Sequence, residues 1–237
     1  MGLELTDERV PLTLLRRKIA ERLSQSHLNA LHVTMTMTAD MTMARDFRAA
    51  LREVADQRGV RVSYTDILVK AAAEALTKHP KLNSSLDGDA IKLIGEVNIG
   101  IAVAIESGLV VPVVREATKK SLFDIAAART TLIEKARNGT LSLQDVVGGT
   151  FTVTNLGMFE VETFTPIINP PQSAILGVGS LAERAVAIEG QLAVRLTMPL
   201  SLSFDHRIID GAEAALFLQT LKGLLETPDT LLEASVD

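Results

Sequence analysis

Cysteine and tryptophan are absent from this 237-residue sequence, and aromatic residues make up only 3% of it. Without cysteine the chain has no disulfide bond, no thiolate metal site and no cysteine nucleophile, so any thiol chemistry must use a substrate's thiol. The shortage of aromatic residues leaves few surfaces on which a base or a sugar could stack. The core must therefore be built from Leu, Ile, Val, Ala and Met.

An excess of basic residues is also missing, because 24 Lys and Arg stand against 29 Asp and Glu, for a formal net charge of -5. A nucleic-acid-binding protein needs a concentrated excess of Lys and Arg to neutralise phosphates, so we expect no nucleic-acid partner. The one local basic cluster, at 16–18, is interrupted by apolar residues at helical spacing and is typical of a solvated helix face.

Long apolar runs and linker-like stretches are missing as well. The sequence has neither an apolar run of membrane-spanning length nor a basic-then-apolar leader, so we expect no membrane partner and a cytoplasmic location. No Pro/Gly/Ser-rich or single-sign charged stretch is long enough to be an internal linker. With 47% apolar residues, the chain can bury a sizeable core, and one large domain is the simplest expectation.

Hydrophobic periodicity predicts both helices and strands. From Leu12 to Leu28, apolar residues such as Leu15 and Ile19 recur at three- and four-residue spacing, which indicates an amphipathic helix. The segment 33–39 then alternates strictly between apolar and polar residues, as a strand with one apolar face does. Further helices are predicted over 42–58, over 65–78 with Thr65 as its cap, over 121–138 and over 212–225.

The strands predicted later in the chain differ in character. The run 97–105 is almost continuously apolar and β-branched, which is typical of a strand covered on both faces. Pro112 interrupts the next run, 109–114, and favours an edge or irregular strand there. Strands are also predicted at 150–154, 174–178 and 198–204. Such mixing of strands with helices predicts an α/β (α+β) sandwich.

Local motifs for familiar chemistry are scarce. The sequence contains no Walker A sequence, no His-Glu-x-x-His metal helix and no Gly-x-Ser-x-Gly elbow. His27, His32 and His79 lie at helix or strand ends, where structural roles are expected. His206 is different, because Asp205-His206-Arg207-Ile208-Ile209-Asp210-Gly211 places charged groups at a strand-to-helix junction, a common position for catalytic groups. Spacing alone does not separate a catalytic base from a structural histidine held by a carboxylate.

The motif His-x-x-x-Asp-Gly at 206–211 resembles the signature of the chloramphenicol acetyltransferase and dihydrolipoamide acyltransferase superfamily. The flanking sequence 202–207 is similar to the second of these families. Other segments resemble that family in the expected order, from about Leu12 to Leu232. These segments are 15–23, 79–83, 97–103, 108–115, 148–159 and 168–176.

The resemblance implies a chloramphenicol acetyltransferase-like two-layer sandwich, with a mixed β-sheet flanked by helices. Residues 12–237 would form an acyltransferase catalytic domain, and residues 1–11 a tail or linker remnant. The implied activity moves an acyl group between coenzyme A and a dihydrolipoyl thiol, without a metal, in the core of a 2-oxoacid dehydrogenase complex. A lipoyl domain outside this segment would supply the lipoyl group, and the decarboxylase and dihydrolipoamide dehydrogenase would be partners.

The resemblance also assigns roles to residues. His206 would be the general base, and Thr154 would stabilise the oxyanion, although a threonine in a strand is usually there for its β propensity. Asp210 would shape the catalytic loop, with Arg16 as its candidate partner or simply a solvated helix residue. Members of the family form trimers that assemble into cages, so Thr154 and His206 would come from different chains of a homotrimer.

Three questions stay open at this point. A chloramphenicol-type O-acetyltransferase would keep His206 and the trimer, and a non-catalytic assembly scaffold would keep the assembly alone, although such scaffolds generally lack the motif histidine. Leu31-His32 stands where the family usually has Pro-His, and the ending 233–237 is atypical of a segment used between trimers. Acetyl, succinyl and branched-chain acyl groups all remain candidates for transfer.

Overall fold

The computed structural model of the chain describes residues 7, 9–106 and 108–233. The strands in this part are β1 (His32–Asp40), β2 (Ser84–Asp87), β3 (Ala90–Leu93), β4 (Ile99–Ile101), β5 (Val103–Ile105), β6 (Gly108–Val110), β7 (Val113–Val114), β8 (Phe151–Asn155), β9 (Ala174–Val178), β10 (Ala182–Ile188) and β11 (Gln191–Asp205). The α-helices are α1 (Leu14–Asn29), α2 (Thr42–Ala50), α3 (Arg52–Gln57), α4 (Tyr64–Lys78), α5 (Leu122–Arg137), α6 (Leu143–Val146), α7 (Gly211–Glu226) and α8 (Thr230–Glu233). None of these helices combines the length and the apolar character needed to cross a bilayer.

One large sheet organises the fold. Its strand order is β1-β11-β9-β8-β4-β7, and β10 pairs with the outer part of the long strand β11. The strand β8 runs parallel to both β4 and β9, whereas the other pairs are antiparallel. Two small ribbons, β2–β3 and β5–β6, lie outside this sheet. The predicted mixed sheet flanked by helices is therefore confirmed.

The two faces of the sheet differ because the central strands alternate in chemistry. Met35 on β1 is paired with Leu202 on β11, and its side chain lies against Gly211 at the start of α7. On the opposite face, the hydroxyls of Thr34 and Ser203 are 2.7 Å apart. Successive side chains of a strand point to opposite faces, so one face is apolar and the other carries hydroxyl groups. The helices cover the apolar face.

Two contacts hold the helix layer in place. On α7, Phe217 meets Phe151 of β8 with ring centroids 5.7 Å apart. The carboxylate of Asp66 on α4 is completely buried and accepts a 2.6 Å bond from Arg129 on α5. Such a pair fixes how two helices meet, because removing either partner would leave an uncompensated buried charge. The helix layer thus sits in one orientation over the sheet.

Several element boundaries differ from the predictions. The helix predicted over 42–58 is divided at Leu51 into α2 and α3. Ser63, and not Thr65, caps α4, because its hydroxyl and backbone N–H both bond to the carboxylate of Asp66. The single strand predicted over 97–105 is two strands, since the chain leaves the large sheet after Ala102 and Ala104 is exposed.

The remaining predictions concern Pro112 and the two ends of the chain. Pro112 separates β6 from β7, and β7 is an edge strand of the large sheet, as its proline suggested. Of the predicted tail 1–11, residues 7 and 9–11 are described and exposed. Residues 234–237 of the atypical ending lie outside the described part of the chain.

We predict that the two ends of β11 differ sharply in their contribution to stability. Leu202→Ala should lower the free energy of unfolding by about 2–5 kcal/mol, because Leu202 is 0% exposed and its truncation leaves a cavity. Leu192→Ala on the same strand, where the side chain is 86% exposed, is the matched control and should cost less than about 0.5 kcal/mol. Urea unfolding followed by circular dichroism measures both. Equal losses in the two variants would contradict this description of the core.

Candidate active site

His206 directly follows β11, at the end of the large sheet. Its pairing with β1 ends at Asp205, and the backbone N–H of His206 then donates a 2.9 Å bond to the carbonyl oxygen of Leu31. The N–H groups of Ile208 and Ile209 both donate to the carbonyl of Asp205 at 3.0 Å, which closes a tight turn before α7. The imidazole of His206 is 43% exposed, so a fixed main chain presents a reachable side chain.

A buried carboxylate behind His206 fixes this turn. Asp205 accepts bonds from the guanidinium of Arg207, the shortest at 2.6 Å, and from the backbone N–H of Leu31 at 3.2 Å. Burial raises the pKa of the Asp205 carboxyl, but the bonds from Arg207 and from the two backbone N–H groups outweigh burial and leave the pKa below its usual value. Leu31 therefore bonds to Asp205 through its N–H and to His206 through its carbonyl.

The second carboxylate of the motif lies beside the imidazole. Asp210 Oδ1 is 3.9 Å from His206 Nδ1, which is within ion-pair range but too long for a hydrogen bond. The Asp210 carboxylate is 78% exposed, and its backbone N–H donates to Glu213 Oε2 at 3.2 Å. Among the described residues Arg16 forms no ion pair with Asp210. Arg16 is an exposed residue of α1, so its predicted pairing with Asp210 is not found in one chain.

A lysine pairs with the neighbouring carboxylate of Glu213. Lys81 Nζ is 2.8 Å from Glu213 Oε1. The bond from Lys81 lowers the pKa of the Glu213 carboxyl, and Glu213 in turn raises the pKa of Lys81, with a smaller contribution from the charge of Asp210. No sequence pattern predicts this arrangement, because the two residues are far apart along the chain.

Thr154 lies at a different part of the sheet. It is paired with Gly177 of β9, which is paired in turn with Ser201 of β11. From strand geometry, that row lies about 13 Å along β11 from Asp205 and about 10 Å across to β8. Thr154 is half-buried on the hydroxyl face of the sheet. One chain thus does not bring the two predicted catalytic residues together.

Two of the other histidines make structural contacts. His32 Nδ1 lies 3.2 Å from the carbonyl of Ala30, and its Nε2 accepts a bond from the backbone N–H of Ile168 at 3.3 Å. His79 Nε2 lies 2.8 Å from the hydroxyl of Thr220, and burial lowers the pKa of His79. The structural roles expected of these two residues agree with these contacts.

Helix α1 borders a cleft beside the His206 turn. Arg22 donates to the carbonyl of Pro170 at 2.5 Å, and Ser26 donates to the carbonyl of Ile168 at 2.6 Å. The cleft runs between α1 and this segment and reaches Asp205 and Arg207. The helix rests on main-chain carbonyl groups, and of its residues only Ser26 is buried. Most of the surface of α1 is therefore open to solvent in a single chain.

Comparison with known protein sequences identifies a family. The family model described as 2-oxoacid dehydrogenases acyltransferase (catalytic domain) matches residues 4–233. The dihydrolipoyllysine-residue succinyltransferase component of the 2-oxoglutarate dehydrogenase complex of Haemophilus influenzae is 43% identical over 228 residues. That match covers 96% of this chain but 56% of the relative, so the chain spans about half the length of the curated relatives that it matches.

Solved structures agree in fold. The dihydrolipoamide acetyltransferase of Azotobacter vinelandii has a TM-score of 0.92 and 41% identity, covering 96% of this chain and 94% of that one. The cubic core of a pyruvate dehydrogenase multienzyme complex gives the same TM-score, identity and coverage. A chloramphenicol acetyltransferase, at 18% identity, covers 86% of this chain and 94% of that one and shares the fold with a TM-score of 0.55. The chain therefore belongs to the family of 2-oxoacid dehydrogenase acyltransferase catalytic domains.

Proposed function

We propose that this chain is an acyltransferase that moves an acyl group between coenzyme A and a dihydrolipoyl thiol, with residues 12–237 as its catalytic domain. The observation that carries the proposal is the geometry of His206. Its imidazole is exposed, its main chain is fixed by Leu31 and Asp205, and its Nδ1 faces Asp210. This arrangement suits a base that must reach a substrate without moving its own backbone.

The reaction needs a base because a thiol is mostly protonated at neutral pH, with a pKa of about 8.5. His206 accepts the thiol proton through Nε2, the nitrogen on the far side of the ring from Asp210. The thiolate then attacks the carbonyl carbon of the thioester and forms a tetrahedral oxyanion. Collapse of this intermediate expels the second thiolate, which recovers the proton from the imidazolium. Atoms and charges balance without a metal.

Asp210 supports His206 and does not react. A carboxylate near Nδ1 favours the orientation in which Nε2 is directed towards the thiol, and it stabilises the imidazolium that forms during transfer. The wide exposure of Asp210 means that water screens much of this attraction. Its role in the proposal is therefore to orient the ring.

Thr154 is the proposed donor to the oxyanion. The Azotobacter vinelandii structure was solved to investigate the roles of a serine, a histidine and an asparagine in the catalytic mechanism of that enzyme. Those three residues have the same separations along their chain as Thr154, His206 and Asp210 have in this one. The spacing supports the assignment of all three positions, and this chain has a carboxylate where that enzyme has an amide.

The distance between Thr154 and His206 leads to a proposal about assembly. Because one chain holds them apart, we propose that the site forms between neighbouring chains of a homotrimer, each supplying one of the two residues. The similarity to a cubic multienzyme core supports a multimeric core, with a larger cage of trimers as the further step. A separate lipoyl domain would bring the lipoyl group, and the decarboxylase and dihydrolipoamide dehydrogenase would be the other partners, in the cytoplasm.

The acyl group is the least constrained part of the proposal. A succinyltransferase and an acetyltransferase are similar to this chain at 43% and 41% identity, so overall similarity favours neither group. One or two methylene groups change binding in a pocket by only about 1–3 kcal/mol. Direct comparison of acyl donors is therefore the informative measurement.

The first test compares the parent with His206→Ala in a spectrophotometric thioester-exchange assay. Dihydrolipoamide is the acceptor, and acetyl-, succinyl- and branched acyl-coenzyme A are the donors. We expect turnover with at least one donor and a loss of about 10²–10⁴-fold in His206→Ala, because a general base contributes that much. Thr154→Val should lose about 10²–10³-fold, as expected for a lost oxyanion donor.

The same assay distinguishes the other functions that fit the fold. Transfer to chloramphenicol in place of dihydrolipoamide would indicate the O-acetyltransferase alternative. A correctly assembled parent that turns over no donor would instead favour a non-catalytic scaffold. Equal rates in the parent and in His206→Ala would refute the assignment of the base.

A second test mixes two inactive variants to locate the site between chains. Co-assembled His206→Ala and Thr154→Val chains should regain about a quarter of the parent activity, since a cyclic trimer then contains interfaces with both intact residues. Each variant assembled alone is the control. Mixtures no more active than the two separate variants would place both residues in one chain and contradict the proposed interface.

A further inference from the structure

Four charged or titratable side chains form a connected row that ends at His206. Lys81 Nζ is 2.8 Å from Glu213 Oε1, and Glu213 Oε2 accepts a 3.2 Å bond from the backbone N–H of Asp210. Asp210 Oδ1 is in turn 3.9 Å from His206 Nδ1. Only the last pair belongs to the His-x-x-x-Asp-Gly motif. The lysine comes from a separate element, a 3₁₀ turn at Pro80–Leu82 that follows α4.

The main chain of this turn holds Lys81 at a fixed point of the surface. Its carbonyl oxygen accepts bonds from the hydroxyls of Ser84 at 2.6 Å and Ser173 at 3.1 Å. The side chain, by contrast, is 43% exposed. A substitution that changes only the side chain therefore removes the charge while these backbone bonds remain.

The positive charge of Lys81 matters because the row that ends at His206, the proposed base, contains two carboxylates. Asp210 and Glu213 both lie at the start of α7, where the helix dipole tolerates negative groups. Two carboxylates near an imidazole favour its protonated form, whereas a base must be neutral to accept a proton. A cation next to the carboxylates opposes their effect. Lys81, which pairs with Glu213, is such a cation.

We propose that Lys81 and Glu213 are positioning residues for His206. Glu213 holds the main chain of Asp210 at the start of α7, and Lys81 pairs with Glu213 and offsets the negative charge of the two carboxylates. The proposal rests on the proposed function, in which His206 is the base.

The other groups around His206 contribute little net charge. Asp205 and Arg207 form an ion pair with each other. Burial lowers the pKa of His79, at the end of α4, which disfavours its charged form. On β1, His32 is occupied by main-chain groups of Ala30 and Ile168. Within the described part of one chain, the charges next to His206 that remain to be balanced are therefore those of Asp210, Glu213 and Lys81.

The proposal predicts opposite changes in two variants. In Lys81→Met, the acid limb of the kcat/KM profile should move to higher pH, because the carboxylates then favour the imidazolium without opposition. In Glu213→Gln it should move to lower pH. For partly exposed charges we expect movements of about 0.3–0.5 pH units, which shrink as salt is added. Lys81→Arg should restore the parent profile.

A matched control lies on the same helix. Lys222 and Glu226 form an ion pair of 2.7 Å with similar exposure, and Lys222 lies about 14 Å along α7 from Glu213. Lys222→Met removes a cation at this distance and should leave the acid limb unmoved. A role limited to the stability of α7 would make the Lys81 and Lys222 variants alike.

A second readout does not depend on turnover. Diethyl pyrocarbonate modifies a histidine only when its imidazole is neutral, and cleavage after Arg195 and Arg207 releases a peptide whose single histidine is His206. Its extent of modification against pH, measured by mass spectrometry on the assembled protein, should have a higher midpoint in Lys81→Met and a lower midpoint in Glu213→Gln.

The outcomes separate the two proposals. A parent without acyltransferase turnover would refute the proposed function, while the modification midpoints would still report the field at His206. Midpoints and acid limbs that stay at the parent value in both variants, or move in the same direction, would overturn the positioning role. Opposite movements together with an unmoved control would establish it.

Discussion

The alternation of apolar and hydroxyl side chains along β1 and β11 is the constraint on which the rest of the structure depends. Its apolar side, with Met35 and Leu202, holds the helix layer, and its other side presents hydroxyl pairs such as Thr34 and Ser203. Asp205 is the last residue in the hydroxyl series of β11. The same two-residue period that builds the core therefore places this carboxylate behind His206.

Two ion pairs around His206 differ in their environment. The carboxylate of Asp205 is nearly inaccessible, and a bidentate contact with Arg207 satisfies it, so loss of either partner leaves a buried charge or donor unpaired. The pair of Lys81 and Glu213 is partly exposed and contributes little to folding. The first pair determines where the histidine lies. The second joins the turn after α4 to the start of α7.

Much of the fold could be predicted because its elements have clear periods. The alternating segment 33–39 is part of β1, and the predicted strands at 174–178 and 198–204 are part of the central sheet. The run 97–105 misled the prediction because its uniformly apolar sequence does not show where the chain leaves the sheet. Helix caps are similarly local, and Ser63 could be identified only from its bonds to Asp66.

The site was harder to predict than the fold. His206 stood out by its motif, but its role as a base came from resemblance and not from spacing. The separation of Thr154 from His206 depends on the register of three strands, which no local pattern shows. Lys81 and Glu213 meet only because the turn after α4 lies beside the start of α7. Contacts of this kind are decided by tertiary packing.

The distance between Thr154 and His206 also bears on how such a protein is made. In the proposed assembly, each newly synthesised chain would carry two unlike halves of a reaction centre and no complete one. Acyl transfer would then begin only when chains meet, so its onset would depend on protein concentration more steeply than in a monomeric enzyme. Assembly would then build the multimeric core and complete the active site in one step. A chain that fails to assemble would not react with thioesters.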